Sequence, residues 1–83
     1  MPIVAMVDGI KITFYNDEHP PIHFHAKFAE HEAMIGIDTL KVLKGYLSRP
    51  QLRKVVAWAE PRQALLRKAW DACQADRNPG KIP

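Results

Sequence analysis

Three of the four histidines in this chain fall within seven residues, in the run His19-Pro20-Pro21-Ile22-His23-Phe24-His25. The unperturbed pKa of imidazole lies near neutrality, so the ring can transfer protons, bind a metal ion in its neutral form or change charge with its surroundings. The run is therefore a candidate functional site. A structural role, in which the rings hydrogen-bond a loop or a partner, is the alternative.

The first chemical hypothesis is acid/base catalysis on a phosphodiester without a metal ion. One imidazole would accept a proton from the attacking hydroxyl and another would donate to the leaving oxygen, while lysines offset the phosphate charge. If the strand beginning at Ile22 pairs with the strand ending at Tyr15, these groups share one face of a sheet. The candidate catalytic residues are His23, His25, His19, Tyr15 and Lys27, and Lys11 is a candidate binding residue.

The second hypothesis is a metal site, because His23 and His25 alternate on a strand and present two rings on one side. His19 or His31 could add a third ligand, and Asp17 or Glu32 a carboxylate, for zinc or another transition metal. Two histidines at this spacing also arise by chance. The preferred interpretation therefore assigns no metal ligands and no cofactor, with zinc as the open alternative.

The elements that must position these residues begin with a hairpin. Ile3 to Val7 and Ile10 to Tyr15 are β-rich runs separated by Asp8-Gly9, a dipeptide that accepts the positive φ angles of a tight turn. A loop from Asn16 to Pro21 follows. The next predicted strand, Ile22 to Phe28, turns Phe24 towards the core and places the two histidines on the opposite, solvated face.

Two more strands are predicted, about Ala33 to Ile37 and Leu40 to Leu47, before Ser48 and Gln51 open a helix as a capping box. Pro61 predicts a kink or two nearly coaxial helices, since an interior proline deletes a backbone hydrogen bond. One apolar helical stripe nevertheless continues through it. The stripe comprises Leu52, Val55, Val56, Ala59, Leu66, Ala69, Trp70 and Cys73.

These elements predict one α+β domain, an antiparallel sheet of four to five strands covered on one face by the C-terminal helical segment. The sheet occupies residues 1–47, the helical segment residues 48–78, and a short loose tail residues 79–83. The helix is expected on the face that carries Ile12, Phe14, Phe24 and Ile35.

Charge is divided unevenly along the chain. Residues 1–40 carry two basic and six acidic side chains, a net charge of −4, whereas residues 41–83 carry ten basic and three acidic, a net charge of +7. Such polarity suggests that the second half meets a nucleic acid or an acidic protein, with Arg53 and Lys54 as candidate binding residues. Lysines and arginines that only confer solubility are the alternative.

Chain length and cysteine content further limit the kind of protein this can be. A domain of 83 residues buries only about 60% of its unfolded surface, so a partner or a second copy is plausible. The single Cys73 excludes an intramolecular disulfide and suits a reducing cytoplasm. The sequence has neither a signal-like N-terminal run nor a long apolar stretch, so we expect no secretion and no membrane insertion.

Asp8-Gly9-Ile10, the histidine run and the later Trp58-Ala59-Glu60 resemble a family of small bacterial proteins catalogued as domain of unknown function 4160. Members are often encoded beside another small protein, in pairs that look like toxin–antitoxin modules. The resemblance implies a cytoplasmic toxin that binds a cognate antitoxin and acts on RNA or translation. It supports His19, His23 and His25 as site residues, but not His31. A non-catalytic module whose basic helix docks an acidic partner is the rival interpretation.

Overall fold

The computed structural model describes residues 3–83 as an antiparallel five-stranded sheet followed by a helical segment, which confirms the α+β prediction. The strands lie side by side in chain order. Met1 and Pro2, which the prediction included in the same domain, lie outside the described residues. The strands are β1 (Ile3–Val7), β2 (Ile10–Thr13), β3 (His23–Phe28), β4 (His31–Gly36) and β5 (Val42–Gly45), and the helices are α1 (Arg49–Ala59) and α2 (Gln63–Gln74).

The turn between β1 and β2 has the predicted geometry. Asp8 and Gly9 both have positive φ angles, 47° and 81°, as a two-residue primed turn requires. Its twist matches that of the flanking strands, and Val7 therefore pairs with Ile10 directly across the turn. The hairpin predicted from the dipeptide is confirmed.

The core lies between one face of the sheet and the helices, as predicted. Ile12, Phe14, Phe24 and Ile35 are at most 1% exposed, and they belong to one apolar cluster with side chains of both helices. The helical contribution comes from the predicted stripe, of which Val55, Ala59, Leu66, Ala69, Trp70 and Cys73 are buried. None of the helices in residues 3–83 is long and apolar enough to span a bilayer.

Helix α1 begins with the predicted cap. The backbone N–H of Gln51 donates to Ser48 Oγ at 3.4 Å, and the Ser48 hydroxyl also donates to the Gln51 side-chain oxygen. Pro50 occupies the first turn, where its missing N–H costs no helical hydrogen bond.

Removing this cap should weaken the fold moderately. Ser48→Ala deprives the Gln51 N–H of its acceptor, and we expect it to lower the free energy of unfolding by about 1 kcal/mol in urea titrations. Ser48→Asp, which retains an accepting oxygen, is the matched control and should remain close to the wild type. Equal losses in both variants would show that the cap does not stabilise the helix.

Pro61 interrupts the helical segment without disturbing its apolar stripe. Glu60–Arg62 forms a single 3₁₀ turn between α1 and α2, and Pro61 itself is exposed. The 3₁₀ turn tightens the backbone at the point where the proline nitrogen cannot donate to a carbonyl. The predicted interruption is confirmed, with the proline on the outer side.

The end of the helical segment differs from the prediction. Helix α2 ends at Gln74 and not at residue 78, because Asp76 adopts a left-handed φ of 61°. The N–H groups of Asp76 and Arg77 then donate to the carbonyls of Cys73 and Ala72, which is a Schellman cap. Glycine usually occupies this position, so its absence concealed the cap in the sequence.

The tail is not loose, which corrects the second prediction for this region. Ile82 is buried in the core cluster, and its N–H donates to the Val4 carbonyl at 2.8 Å. Lys81 Nζ donates to the Ile3 carbonyl at 2.7 Å. The edge strand β1 offers unpaired carbonyls, and these hydrogen bonds together with the buried Ile82 side chain hold the segment against it.

Candidate functional site

His23 and His25 lie on β3 and share the sheet face opposite Phe24, as predicted. This surface, termed here the histidine face, is the side of the sheet opposite the core residues Phe24 and Ile35. The registers of strands β2 to β5 place eight side chains on it, namely Lys11, Thr13, His23, His25, Lys27, Glu32, Met34 and Lys44.

The prediction that the two histidines form a solvated surface cluster is wrong. His23 is 2% exposed and His25 is 7% exposed. The ring of Tyr15 meets His25 edge-on at a centroid distance of 4.3 Å, and the ring of Trp70 lies 5.0 Å from that of His23. The cover therefore comes from aromatic groups of the loop after β2 and of α2, which strand alternation cannot reveal.

The loop between β2 and β3 also brings a carboxylate to the histidines. Glu18 Oε1 lies 3.2 Å from His23 Nε2 and forms a short contact with His25 Nε2. The centroids of the two rings are 5.3 Å apart. The peptide between Pro20 and Pro21 is cis. Glu18, His23 and His25 thus converge at one point under the loop.

The proton positions on His23 follow from its neighbours. Its Nδ1 lies 2.8 Å from the Pro21 carbonyl oxygen, which can only accept, so Nδ1 carries the hydrogen. In the neutral ring, Nε2 then presents a lone pair towards Glu18. This buried Nε2 has no aligned hydrogen-bond partner among residues 3–83.

His25 lies between two carboxylates. Its Nδ1 is 2.9 Å from Glu32 Oε2, and its Nε2 contacts Glu18 Oε1. Ionised carboxylates only accept hydrogen bonds, so the ring satisfies both by carrying two protons, or donates to one and binds a cation with the other nitrogen. The Tyr15 hydroxyl donates to Glu32 Oε2 at 3.3 Å and completes the arrangement.

Two groups around the rings have perturbed pKa values. Burial raises the pKa of the Glu18 carboxyl, but its interactions with His25 and His23 outweigh burial and bring the pKa below its ordinary value. Burial raises the pKa of the Tyr15 hydroxyl, and the negative charges of Glu32 and Glu18 raise it further. At neutral pH, Glu18 is an anion and Tyr15 a neutral donor.

A pocket of about 280 Å³ opens beside His25. Lys44 and Glu32 border it together with Met34 and Gly45. The two predicted lysines, Lys11 and Lys27, are exposed on the same face, paired with one another and next to Glu32 in the strand register. Lys44 therefore borders the pocket directly, and Lys11 and Lys27 add two exposed ammonium groups to the same sheet face.

Several predicted site residues lie elsewhere. His19 is exposed in the loop, and its side chain is not among the ligand atoms that converge. The ring of His31 packs against that of Tyr46. Arg53 and Lys54 are exposed on α1, which packs on the opposite face of the sheet, and Lys54 lies 3.6 Å from Asp8.

Sequence reasoning missed Glu18 and Lys44 and treated Glu32 only as a possible ligand near a turn. Strand β4 begins at His31, earlier than predicted, so Glu32 pairs with Lys27 and faces the histidine side. The two-residue turn Ala29-Glu30 could have supplied this register, because turn length sets strand pairing. Nothing local in the sequence indicates that Glu18 folds back over β3.

Comparison with known proteins gives one match. The model of a family described as a domain of unknown function, DUF4160, matches residues 9–71 and so includes the histidine run, the whole of β2 to α1 and most of α2. No curated protein and no solved structure matches the chain.

Proposed function

Given that this chain belongs to the DUF4160 family, we propose that it is the toxin-like component of a bacterial two-protein module and that it acts on RNA at the histidine face. The family description assigns no activity, so the proposal depends on the site. The single observation that carries it is a pocket lined by His25, Glu32 and Lys44 on a sheet face that also bears the exposed Lys11 and Lys27.

The lysines account for the choice of an anionic ligand. Lys11 and Lys27 lie together on β2 and β3, and Lys44 lies across the pocket on β5. A strand of RNA crossing this face can place successive phosphates near these ammonium groups, and release of counterions contributes to such binding. The pocket beside His25 would then receive the phosphodiester or an adjoining base.

The buried groups supply the chemistry. His25 and His23 are proposed as acid/base groups, with Tyr15 and Lys27 in support. One carboxylate faces each ring nitrogen of His25, Glu32 at Nδ1 and Glu18 at Nε2, and a proton carried on this ring would be donated to a leaving oxygen at the pocket. Lys44 would offset the charge that develops on the phosphate.

A second candidate function is docking of an acidic partner on α1. A groove along this helix combines apolar side chains with Arg49 and Arg53, and both ends of the groove are exposed. The cognate antitoxin is the proposed occupant, because the C-terminal half of the chain carries most of the positive charge.

Charge-reversal variants can distinguish RNA binding at the histidine face from docking of an acidic partner on α1. Lys44→Glu should weaken binding of a short single-stranded RNA by at least about tenfold and lower the slope of affinity against salt by about one. It should also relieve growth inhibition in cells that express the chain alone. The measurements are fluorescence anisotropy at several salt concentrations and colony counts.

Arg53→Glu is the matched variant on the other side of the molecule. RNA binding and growth inhibition should persist in it, while rescue by the protein encoded beside it weakens. If Arg53→Glu abolishes RNA binding and Lys44→Glu does not, the histidine face is not the RNA site.

A further inference from the structure

We propose that Glu18, His23 and His25 bind a first-row divalent metal ion, with zinc as the best fit. One oxygen of Glu18 and one nitrogen of each ring lie within 4.8 Å of one another. The inference concerns what the site holds, and it stands whether or not the ligand on the histidine face is RNA.

The strongest observation is the orphaned nitrogen of His23. The Pro21 carbonyl holds the hydrogen on Nδ1, so Nε2 directs a lone pair at the Glu18 carboxylate, 3.2 Å away. Two electron-rich atoms in a buried place repel each other unless a proton or a metal cation lies between them. A metal ion is such a cation, and it satisfies an Nε2 that finds no hydrogen-bond partner among residues 3–83.

The surroundings of His25 complete the pattern. Its Nδ1 is held by Glu32 at 2.9 Å, so Nε2, which contacts Glu18, is the nitrogen that would bind an ion shared with that carboxylate. Histidine ligands almost always donate their second ring N–H to a carboxylate or a backbone carbonyl, which fixes the tautomer and makes the ring a better ligand. Glu32 performs this role for His25, and the Pro21 carbonyl performs it for His23.

The donor set selects the class of ion. Two imidazole nitrogens and one carboxylate oxygen suit zinc and its first-row neighbours, whereas calcium and magnesium prefer oxygen ligands throughout. Three protein ligands leave a fourth position of a tetrahedral ion for water or substrate. Glu18 lies on a loop and is only half-buried, so its carboxylate can adjust when an ion enters.

Metal binding would change the role of the site. A ring nitrogen that binds an ion cannot carry a proton, so the loaded protein would act through the ion and not through imidazolium. The ion would then offset phosphate charge and activate its bound water, with Glu32 close by at the pocket. A proton and a metal ion are thus alternative occupants of the ring nitrogens that face Glu18.

The test uses the full chain without a histidine tag, stripped with a chelator and titrated with zinc alone. We expect one ion per chain, and we expect Glu18→Gln to weaken zinc binding at least about 100-fold because it removes an anionic ligand. Asp17→Asn is the matched control, since it neutralises the adjacent exposed carboxylate and should leave the affinity unchanged. Loss of zinc binding in both variants to the same extent, or no zinc binding by the wild type, would overturn the proposal.

A second measurement needs only the wild-type protein. In nitrogen-detected NMR spectra of the histidine rings, zinc should shift Nε2 of His23 and His25 while their Nδ1 atoms remain protonated. Shifts confined to His19 or His31 would refute the site. Zinc binding without RNA binding would leave this inference standing and remove the proposed function, and RNA binding without zinc would do the reverse.

Discussion

Replacing His25 with glutamine should abolish growth inhibition by the chain expressed alone. The imidazole contacts both Glu18 and Glu32, and it lies at the border of the pocket. Loss of an acid/base group or of a metal ligand typically costs about 100-fold or more in activity. We therefore expect RNA processing in extracts, measured by cleavage of a labelled substrate, to fall by at least this factor.

Two other histidines serve as controls for this experiment. His19→Gln and His31→Gln alter exposed rings outside the cluster, and both variants should retain activity. The circular dichroism of His25→Gln should match that of the wild type, which would separate lost chemistry from lost folding. Full activity in His25→Gln, or a loss as severe in His19→Gln, would contradict the assignment of the centre to the buried rings.

The second prediction with a large effect concerns the stability of the fold at Gly45, which lines the pocket. A Cβ atom added there would lie 2.1 Å from the carbonyl oxygen of Glu32 and 3.2 Å from Ala33 Cα, both backbone atoms. Its φ of +86° is also unfavourable for alanine. Gly45→Ala must therefore separate β5 from β4, where the Tyr46 N–H donates to the Glu32 carbonyl at 3.0 Å.

We expect Gly45→Ala to lower the free energy of unfolding by about 3 kcal/mol, from left-handed strain together with weakened strand pairing. A domain of this size has a total stability of roughly 4–12 kcal/mol, so the loss should be evident in urea titrations.

Gly80→Ala is the matched control for Gly45→Ala, because its φ is +75° but nothing lies within 4 Å of the added atom. It should lower the free energy of unfolding by only about 1 kcal/mol, because it introduces the left-handed backbone strain alone. Similar losses in the two variants would show that the close approach of β5 to Glu32 is unimportant.

Much of the architecture could be predicted because local rules determine it. Asp8-Gly9 accepts two positive φ angles, so it specifies the hairpin. Alternation along β3 separates Phe24 from the two histidines, and Ser48 with Gln51 marks the helix start. In each case, the residues involved lie within a few positions of one another, and the physical cause acts at that range.

The cover over the histidine face could not be predicted, because it depends on contacts between distant segments. Period-two alternation identifies which side chains share a face, but it does not say whether that face meets water. Here Tyr15, Glu18 and Trp70 close over the rings and bury them. The tail was misjudged for the same reason, since Ile82 is anchored by β1 at the other end of the chain.

The sequence by itself determined that two imidazoles project from the same side of a strand in an α+β domain, because the pleat dictates this spacing. Only the tertiary structure decided what those rings meet. A loop conformation brings Glu18 to both of them, and strand register brings Glu32 to His25. The charge and ligand capacity of an imidazole depend on which atoms face its two nitrogens, and these atoms come from chain segments that only folding brings together.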